Sequence, residues 1–311
     1  MNKEKNFISA VIYVHNAEER VAGFVAAVLR VLEENFEYSE IICVNDDSSD
    51  GSADKIREIR TESSGVSLSL INMSYFHGTE TAMNAGTDLA IGDFVFEFDD
   101  TCLDFPPEMI MQVYRKAMEG YDIVSASPDR GERLSSRLFY SAFDRFTSLS
   151  YQFASERFRI LSRRVINRIS SMNTKMVYRK AVYANCGLKA EHLRYTPAGN
   201  GKSRRDREER KYRSRLATDS LILFTQVGYR FSLGMTFLMI FLSVAMLVYT
   251  LVTYFTAQPV EGWTTTVLFL SLAFIGLFGI LTIVVKYLQL IVNMVFRRKH
   301  YSFESVEKIT K

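Results

Sequence analysis

The chain has 311 residues, which predicts about two structural units at roughly 100–200 residues each. Its 38 Lys and Arg residues nearly balance 35 Asp and Glu residues, and this near-neutral charge argues against a nucleic-acid binder with a globally basic face. Cys43, Cys102 and Cys186 lack CxxC spacing, so the sequence predicts neither a disulfide scaffold nor a zinc site, and a reducing environment fits.

The first hundred residues alternate between apolar strands and helices. The pattern predicts strands at 7–14, 39–44, 66–73 and 93–98, and helices at 17–35, 53–61 and 79–90. A further strand is predicted at 121–125. Strands that alternate with helices over short connections indicate an α/β fold with a mostly parallel sheet. Ligands of such sheets bind at the carboxyl ends of the strands.

Polar residues follow three of these strands directly. They are His15, Asn16, Ala17, Glu18 and Glu19 after the first, the run 45–51 after the second, and Asp99 and Asp100 after the fourth. Carboxylates that meet in one crevice repel one another unless a cation neutralises them, and hard oxygen ligands select Mg²⁺ or Mn²⁺. Such an ion, held together with substrate phosphates, is common at nucleoside diphosphate sites. Alternatively, the run 46–51 is only a turn that caps the next helix.

Two long uncharged runs, 232–260 and 264–285, occupy the C-terminal third of the chain. The first contains the apolar stretch 233–256, which exceeds the about 20 residues that a membrane-spanning helix needs. Lys and Arg residues flank the pair of runs on both outer sides, whereas the link between the runs has none, so the positive-inside rule places both termini in the cytoplasm. Two buried helices of a soluble bundle are the less favoured alternative, because such helices seldom lack a polar stripe.

A basic segment precedes the first apolar run. Residues 199–215 contain eight basic and three acidic residues, which indicates electrostatic adhesion to anionic lipid. Residues 216–231 then read as a juxtamembrane amphipathic helix that lies in the membrane interface. The predicted division is a catalytic α/β domain at 1–215, this juxtamembrane helix, transmembrane helices at 232–256 and 264–286, and a cytoplasmic tail at 287–311.

Four segments of the chain carry a family resemblance. They are AVIYVHNAEE at 10–19, VNDDSSDGS at 44–52, FHGTETAMNAGTDLAIGD at 76–93 and EFDDTCLDFPPE at 97–108. In order and spacing, these segments resemble family 2 inverting glycosyltransferases of the GT-A fold, a Rossmann-like sheet. The chain as a whole resembles polyprenyl-phosphate glycosyltransferases of the dolichyl-phosphate mannose synthase type.

The resemblance implies a nucleotide-sugar donor and a divalent metal ion. The residues that it places at the nucleotide are Tyr13, His15, Asn16, Glu18, Asn45, Asp46 and Gly78. Asn45 stands where the family usually has an aspartate, and an amide both donates and accepts hydrogen bonds. The usual Asp-Ala-Asp metal motif becomes Asp99-Asp100-Thr101, so Mg²⁺ or Mn²⁺ is assigned to Asp99 or Asp100 without a choice between them.

The resemblance also implies cationic residues at the phosphate of a polyprenyl-phosphate acceptor. They are Arg130, Arg133, Arg137, Arg159 and Lys211, of which Arg130 and Arg159 are preferred as catalytic. Arg suits this role because its planar fork matches phosphate oxygens. For any single arginine, a solvated helix face or a contact with the inner leaflet is an equally good interpretation.

The predicted reaction is transfer of a sugar, with inversion, from a UDP-sugar to undecaprenyl phosphate at the cytoplasmic membrane. A phosphate monoester has a second pKa of about 6, so its oxygen is already nucleophilic and needs no general base. One alternative extends a lipid-linked saccharide, with Asp104 or Glu108 as base. Another is a sugar-nucleotide-binding scaffold without turnover. Because a two-helix hairpin has few internal contacts, association between copies is also expected.

Overall fold

The computed structural model describes residues 3–59, 65–129, 156–171, 178–197, 212, 227–256, 262–295 and 303–309. The strands are β1 (Ile8–Val14), β2 (Ser39–Asn45), β3 (Val66–Met73), β4 (Phe94–Phe98), β5 (Ile123–Pro128), β6 (Phe158–Ser162), β7 (Ala190–Tyr195) and β8 (Phe303–Lys308). The helices are α1 (Glu18–Asn35), α2 (Ser52–Arg57), α3 (Thr79–Leu89), α4 (Glu108–Met118), α5 (Arg163–Ser171), α6 (Arg179–Asn185), α7 (Val227–Thr256) and α8 (Trp263–Val295).

The strands of the described residues form one mixed sheet in the order β7-β5-β6-β4-β1-β2-β3-β8. The central strands β4, β1, β2 and β3 are parallel, whereas β6 and β8 run antiparallel to their neighbours. Val14 lies opposite Asn45, and Asn45 lies opposite Asn72, so three strands end level with one another. This arrangement confirms the predicted α/β, GT-A-like fold.

Apolar residues fill both faces of the central strands. Every residue of β1 is buried, which agrees with its continuous apolar sequence, since parallel strands are covered by helices on both sides. Helix α1 buries Val21, Phe24, Val28 and Leu32 at helical spacing against this sheet. Glu18 and Glu19 lie in the first turn of α1, where their negative charges interact favourably with the positive end of the helix dipole.

Two packing features fix the carboxyl edge of the sheet. At Gly86 of α3, a Cβ atom would lie 2.4 Å from a Val11 methyl and 2.7 Å from a Val44 methyl, so glycine lets α3 approach β1 and β2 closely. The Phe98 ring stacks on Phe158 with centroids 5.2 Å apart, and Phe105 packs on Phe158 at 4.5 Å. These aromatic contacts anchor the end of β4 and the loop that follows it.

The chain divides into two compact units, and the second contains α7 and α8. Both helices are long and apolar enough to cross a membrane, over Leu233–Thr256 and Trp263–Leu288. They pack against each other and bury Thr250 and Ser271, while large apolar side chains such as Phe255, 80% exposed, face outward. This exposure distinguishes them from the core helices of a soluble protein. Residues 216–226 of the expected juxtamembrane helix lie outside the described residues.

Strand β8 was not predicted. It lies in the expected C-terminal tail, yet it belongs to the first compact unit and pairs antiparallel with β3. Asn72 lies opposite Ser305, and the register shifts between Asn72 and Met73. The sequence FESVEK is rich in charged residues, as is typical of an edge strand. Strand β8 therefore forms one edge of the sheet among the described residues.

Candidate active site

The ends of β1 and β2 meet in one group of polar side chains. The Asp46 amide donates to the Val14 carbonyl at 2.9 Å, and the Tyr13 hydroxyl donates to the Asp46 carboxylate at 3.1 Å. The Nδ1 atom of His15 lies 2.6 Å from the Asp46 carbonyl oxygen. Because a carbonyl only accepts, Nδ1 is the donor in this contact, and Nε2 lies 3.3 Å from the side-chain nitrogen of Asn16. Four of the predicted nucleotide-binding residues thus lie together.

The Asp46 carboxylate is fully buried and held by the protein itself. The backbone amides of His77 and Gly78 each donate to it at 2.8 Å, in addition to the Tyr13 hydroxyl. Burial raises the pKa of Asp46, while these hydrogen bonds favour the charged form and limit the rise. Asp46 therefore fixes the turn that begins α3, and a contact between its carboxylate and a nucleotide stays a prediction.

The Asn45 amide at the end of β2 is oriented by two neighbours. Its Nδ2 donates to Oδ1 of Asn72 at 3.0 Å, and its Oδ1 accepts from the Ser48 amide at 3.3 Å. The side chain is 7% exposed. These two hydrogen bonds fix which end of the Asn45 amide donates and which end accepts. An aspartate at the same position could not donate to Asn72.

Asn16 and Glu18 join the turn after β1 to the turn after β2. Asn16, in a left-handed conformation with φ of 46°, accepts from the Ser49 amide at 2.9 Å. Glu18 accepts from the Gly51 amide at 3.1 Å, and its own amide donates to Asp50 at 3.0 Å. Both residues, which are predicted to bind the nucleotide, therefore hold the two turns together. The run 46–51 does more than cap α2, because it is hydrogen-bonded to β1 as well.

Asp99 lies at the end of β4 between two buried arginines. Arg159 Nη2 and Arg179 Nη2 each lie 2.5 Å from one of its oxygens. Burial alone would raise the pKa of Asp99, but the two guanidinium groups outweigh it and hold this pKa well below its usual range. Both carboxylate oxygens of Asp99 are therefore engaged by arginine.

Asp100 differs from Asp99 in that one of its oxygens lacks a hydrogen bond. Its Oδ2 is buried and has no hydrogen-bond partner among the residues that the structure describes. Two arginines balance its charge at longer range, with Arg157 Nη1 at 3.7 Å and Arg20 Nη1 at 4.0 Å. Arg20 Nη1 is itself buried without a hydrogen-bond partner. Two unsatisfied polar atoms of opposite charge therefore lie at this point of the sheet edge.

The position of Arg159 differs from the one expected for an acceptor-binding residue. It is 1% exposed, and its three guanidinium nitrogens contact Glu97 at 2.8 Å, Asp99 at 2.5 Å and Glu156 at 3.2 Å. A lipid phosphate would have to displace these carboxylates to reach it. In this structure Arg159 contacts Asp99, and a direct contact between Arg159 and the acceptor phosphate stays a prediction.

Arg179 and Glu80 extend this network to α3, and the sequence did not point to either. Arg179 is fully buried and contacts Glu80 at 3.1 Å and Glu97 at 2.8 Å as well as Asp99. Glu80 lies in the first turn of α3, two residues after the Gly78 that binds Asp46. The two strand ends are thus linked through the beginning of α3. No local pattern signals a buried arginine, since charged residues are almost never fully buried unless paired.

Asp104, a candidate base in the saccharide alternative, is also engaged. Its Oδ2 pairs with Arg157 Nε at 2.7 Å, and its Oδ1 accepts from the Tyr195 hydroxyl at 3.0 Å. Burial and the nearby Asp104 raise the pKa of Tyr195, so this phenol stays protonated and donates. Glu108, the other candidate, is exposed at the start of α4.

Four predicted acceptor residues, Arg130, Arg133, Arg137 and Lys211, lie outside the described residues. Tyr212, next to Lys211, lies against the turn before α3. Its ring is so close to Gly78 that a Cβ there would lie 2.1 Å from Tyr212 Cζ. Burial raises the pKa of this phenol. Tyr212, which belongs to the basic segment 199–215, thus contacts Gly78 of the predicted nucleotide site.

Within the parts of the chain that the structure describes, no three His, Cys, Asp or Glu side chains are arranged to hold a metal ion together. The described residues therefore fit a site in which the protein supplies only one or two side-chain ligands. Asp100, with its unsatisfied oxygen, meets that description, because Mg²⁺ is commonly held by one or two carboxylates, substrate phosphates and water.

Comparison with known proteins gives several matches. The Glycosyl transferase family 2 profile matches residues 9–185, which is more than half of the chain. An uncharacterised glycosyltransferase of Synechocystis is 32% identical over 58% of this chain and 58% of its own length. The undecaprenyl-phosphate 4-deoxy-4-formamido-L-arabinose transferase of Aeromonas hydrophila is 34% identical over 40% of this chain and 37% of its own. The prophage bactoprenol glucosyl transferase homologue of Escherichia coli is 28% identical over 61% and 63%.

The matched residues include the strand ends that form the candidate site. The chain covers less than two thirds of the length of each of these three relatives. The profile, in contrast, spans β1 to α6, with the turn after β2, the two aspartates after β4 and the buried arginines. The chain belongs to glycosyl transferase family 2.

Proposed function

We propose that this chain is a membrane-anchored, metal-dependent inverting glycosyltransferase that moves a sugar from a UDP-sugar to polyprenyl phosphate, in particular undecaprenyl phosphate. Two relatives have names that include such lipids, an undecaprenyl-phosphate 4-deoxy-4-formamido-L-arabinose transferase and a prophage bactoprenol glucosyl transferase homologue. Membership in family 2 supports the reaction class, and the two long apolar helices support an acceptor in the bilayer.

The observation that carries the proposal is the unsatisfied Oδ2 of Asp100 at the end of β4. Asp99 is held by two arginines, so Asp100 is the better ligand for Mg²⁺ or Mn²⁺. A bound ion would neutralise the diphosphate and stabilise the charge that develops on the leaving group. Arg20 and Arg157 lie within about 4 Å of the Asp100 carboxylate, and their positive charges would also stabilise the negative charge on the leaving group.

The described carboxylates favour a phosphate acceptor over a saccharide hydroxyl. A hydroxyl needs a general base, yet Asp99 is paired with Arg159 and Arg179, and Asp104 is paired with Arg157. The arginines hold the pKa of Asp99 below its usual range, which makes it a poor base near neutral pH, while both oxygens of Asp104 are already engaged by Arg157 and Tyr195. A phosphate monoester is already charged and needs only to be held in line with the anomeric carbon.

The pairing of β8 with β3 supports a hairpin topology for α7 and α8. Strand β8 follows both helices in the chain but belongs to the same sheet as β1 to β7. If the helices cross a membrane, the chain must cross an even number of times between β7 and β8. The positive-inside rule then gives the side, and we propose that the sheet and both termini are cytoplasmic.

The proposal is tested with the full chain in detergent or nanodiscs, with undecaprenyl phosphate and a panel of UDP-sugars. UDP release is expected in the presence of Mn²⁺ or Mg²⁺ and is expected to stop with EDTA. Asp100→Asn should reduce turnover by about 100-fold or more, as for the loss of one group that stabilises leaving-group charge. The matched control is Asp54→Asn, since Asp54 is a surface carboxylate, 77% exposed, on α2.

Three results would contradict the proposal. Turnover unaffected by EDTA would exclude the metal. Full activity of Asp100→Asn would exclude the assigned ligand. Nucleotide binding without turnover for every donor and acceptor pair would indicate a scaffold rather than an enzyme.

A further inference from the structure

The C-terminal strand β8 is joined to the end of β2 by a row of side chains that crosses β3. Arg57 of α2 forms a two-point ion pair with Glu307, with nitrogen–oxygen distances of 2.9 and 2.8 Å. Oε1 of Glu307 accepts from Nδ2 of Asn72 at 2.9 Å, and Ser305 Oγ accepts from the same nitrogen at 3.0 Å. Oδ1 of Asn72 in turn accepts from Asn45. The row thus connects residues more than 230 positions apart in the chain.

Each link in this row has a fixed direction. A carboxylate only accepts, so Glu307 forces the NH₂ group of Asn72 toward β8. The carbonyl oxygen of Asn72 must then face β2, where it requires a donor. The Asn45 amide supplies that donor, while its own oxygen accepts from the Ser48 amide. The orientation of Asn45 is therefore set by the charge on β8.

We infer that Glu307 and Ser305 are positioning residues for Asn45 in the donor-nucleotide site, so that the strand after the membrane hairpin controls affinity for the nucleoside diphosphate. This inference rests on the proposed function. It also accounts for the departure from the family pattern at position 45. An aspartate there would place a carboxylate 3.0 Å from the Asn72 carbonyl oxygen, and a flip of Asn72 would only move the conflict to Glu307.

The inference is tested by the variants Asn45→Asp, Glu307→Gln and the two combined, in the full chain. Asn45→Asp alone should weaken UDP binding by about tenfold or more, because a buried group loses its partner. In the double variant, the side-chain amide of Asn72 can flip. The oxygen of Asn72 then accepts from the glutamine introduced on β8, and the NH₂ group of Asn72 donates to the carboxylate introduced at the end of β2. The affinity for UDP should then return to within about threefold of wild type.

The readout is the dissociation constant of UDP by titration calorimetry, measured well below the Tm of each variant. A merely structural role would lower Tm without changing the affinity of the folded protein. The KM for undecaprenyl phosphate should stay unchanged while the KM for the donor follows the UDP affinity. Glu304→Gln is the matched control, because Glu304 is exposed on the same strand at the register shift, and combining it with Asn45→Asp should give no recovery.

The outcomes separate this inference from the proposed function. If wild type binds UDP and turns over but the double variant is no better than Asn45→Asp, the inference is overturned and the function stands. If Asn45→Asp binds UDP as well as wild type, the inference is likewise overturned. If wild type binds no nucleoside diphosphate in a panel of uridine, guanosine and cytidine forms, both fail.

Discussion

Replacing Arg159 by methionine removes one cation from a buried charge cluster, and we expect a large loss of stability. Among the described residues, the cluster contains the carboxylates Glu80, Glu97, Asp99 and Glu156 and the cations Arg159, Arg179 and Lys180. In the variant, four carboxylates face two cations in the interior. Methionine keeps most of the apolar length of the side chain, so the change isolates the charge.

The expected magnitude follows from the partners that remain. Removing one partner of a buried ion pair costs about 3–5 kcal/mol. Arg179 still contacts Asp99 and Glu97, and Lys180 lies 3.7 Å from Glu156, so the lower end of about 3 kcal/mol applies. At about 2–4 °C per kcal/mol for a unit of this size, the Tm falls by about 6–12 °C.

The loss should depend on pH with a definite sign. The pKa of Asp99 is lowered in the folded protein, so its charge stabilises the wild type above the unfolded pKa of about 3.9, and this stability is lost only as pH falls through the lowered value. Without Arg159, the pKa of Asp99 rises from its lowered value, and protonation of Asp99 relieves the repulsion among the buried carboxylates. The difference in Tm between wild type and variant should therefore be larger at about pH 7.5 than at about pH 5.

The measurement is thermal unfolding in detergent, followed by circular dichroism. Arg30→Met is the matched control, because Arg30 pairs with Glu34 at the surface and the two side chains are 81% and 58% exposed, so its loss should leave Tm nearly unchanged. If Arg159→Met lowers Tm no more than Arg30→Met at either pH, the buried cluster contributes no more than a surface pair, and the reasoning is refuted.

Three further predictions concern the turn before α3, the strand-end carboxylates and the thiols. Gly78→Ala should lower Tm more than Gly120→Ala. Both glycines have a positive φ, so alanine costs about 1–3 kcal/mol of backbone strain at either position, but only the Cβ at Gly78 would also clash with the Tyr212 ring. Equal shifts of Tm in thermal unfolding would contradict this contact. Asp46→Asn should lower the free energy of unfolding by about 1–3 kcal/mol in a denaturant titration, because the single oxygen of an amide cannot accept from both His77 and Gly78 as the two carboxylate oxygens do. The exposed Asp47 has a φ of 53°, which suits asparagine, so the same change there should be tolerated. Burial raises the pKa of Cys43 to about 12 and also raises the pKa of Cys102 and of Cys186. A thiol reagent at about pH 8 should therefore label the folded chain slowly and the denatured chain at three sites. Rapid labelling before denaturation would contradict this, because it would show that the thiols are accessible.

The central sheet could be predicted because its signal is local. Buried parallel strands read as continuous apolar runs, and the predicted strand at 7–14 corresponds to Ile8–Val14 in the structure. The same holds for the predicted strand at 39–44, observed as Ser39–Asn45. Polar residues at the strand ends were therefore located correctly along the chain, although their partners were not.

Strand β8 and the buried arginines could not be predicted in this way. The register of β8 depends on β3, which lies more than 230 residues earlier, and FESVEK has no apolar run. Arg159 and Arg179 read as surface residues because an isolated arginine is almost never buried. A set of acids from α3, β4 and the segment just before β6 allows these arginines to be buried, and that set exists only once the chain has folded.

The carboxylates at the strand ends divide into two kinds, and the division decides how the metal motif is to be interpreted. Asp46, Asp99 and Asp104 are held by donors of the chain itself, whereas Asp100 keeps one oxygen without a hydrogen bond. A motif fixes where a carboxylate stands along a strand, but arginines from β6 and α6 determine whether it remains available to a ligand. The sequence alone leaves open whether Asp99 or Asp100 binds the metal ion. The answer depends on arginines about 60 to 80 positions further along the chain.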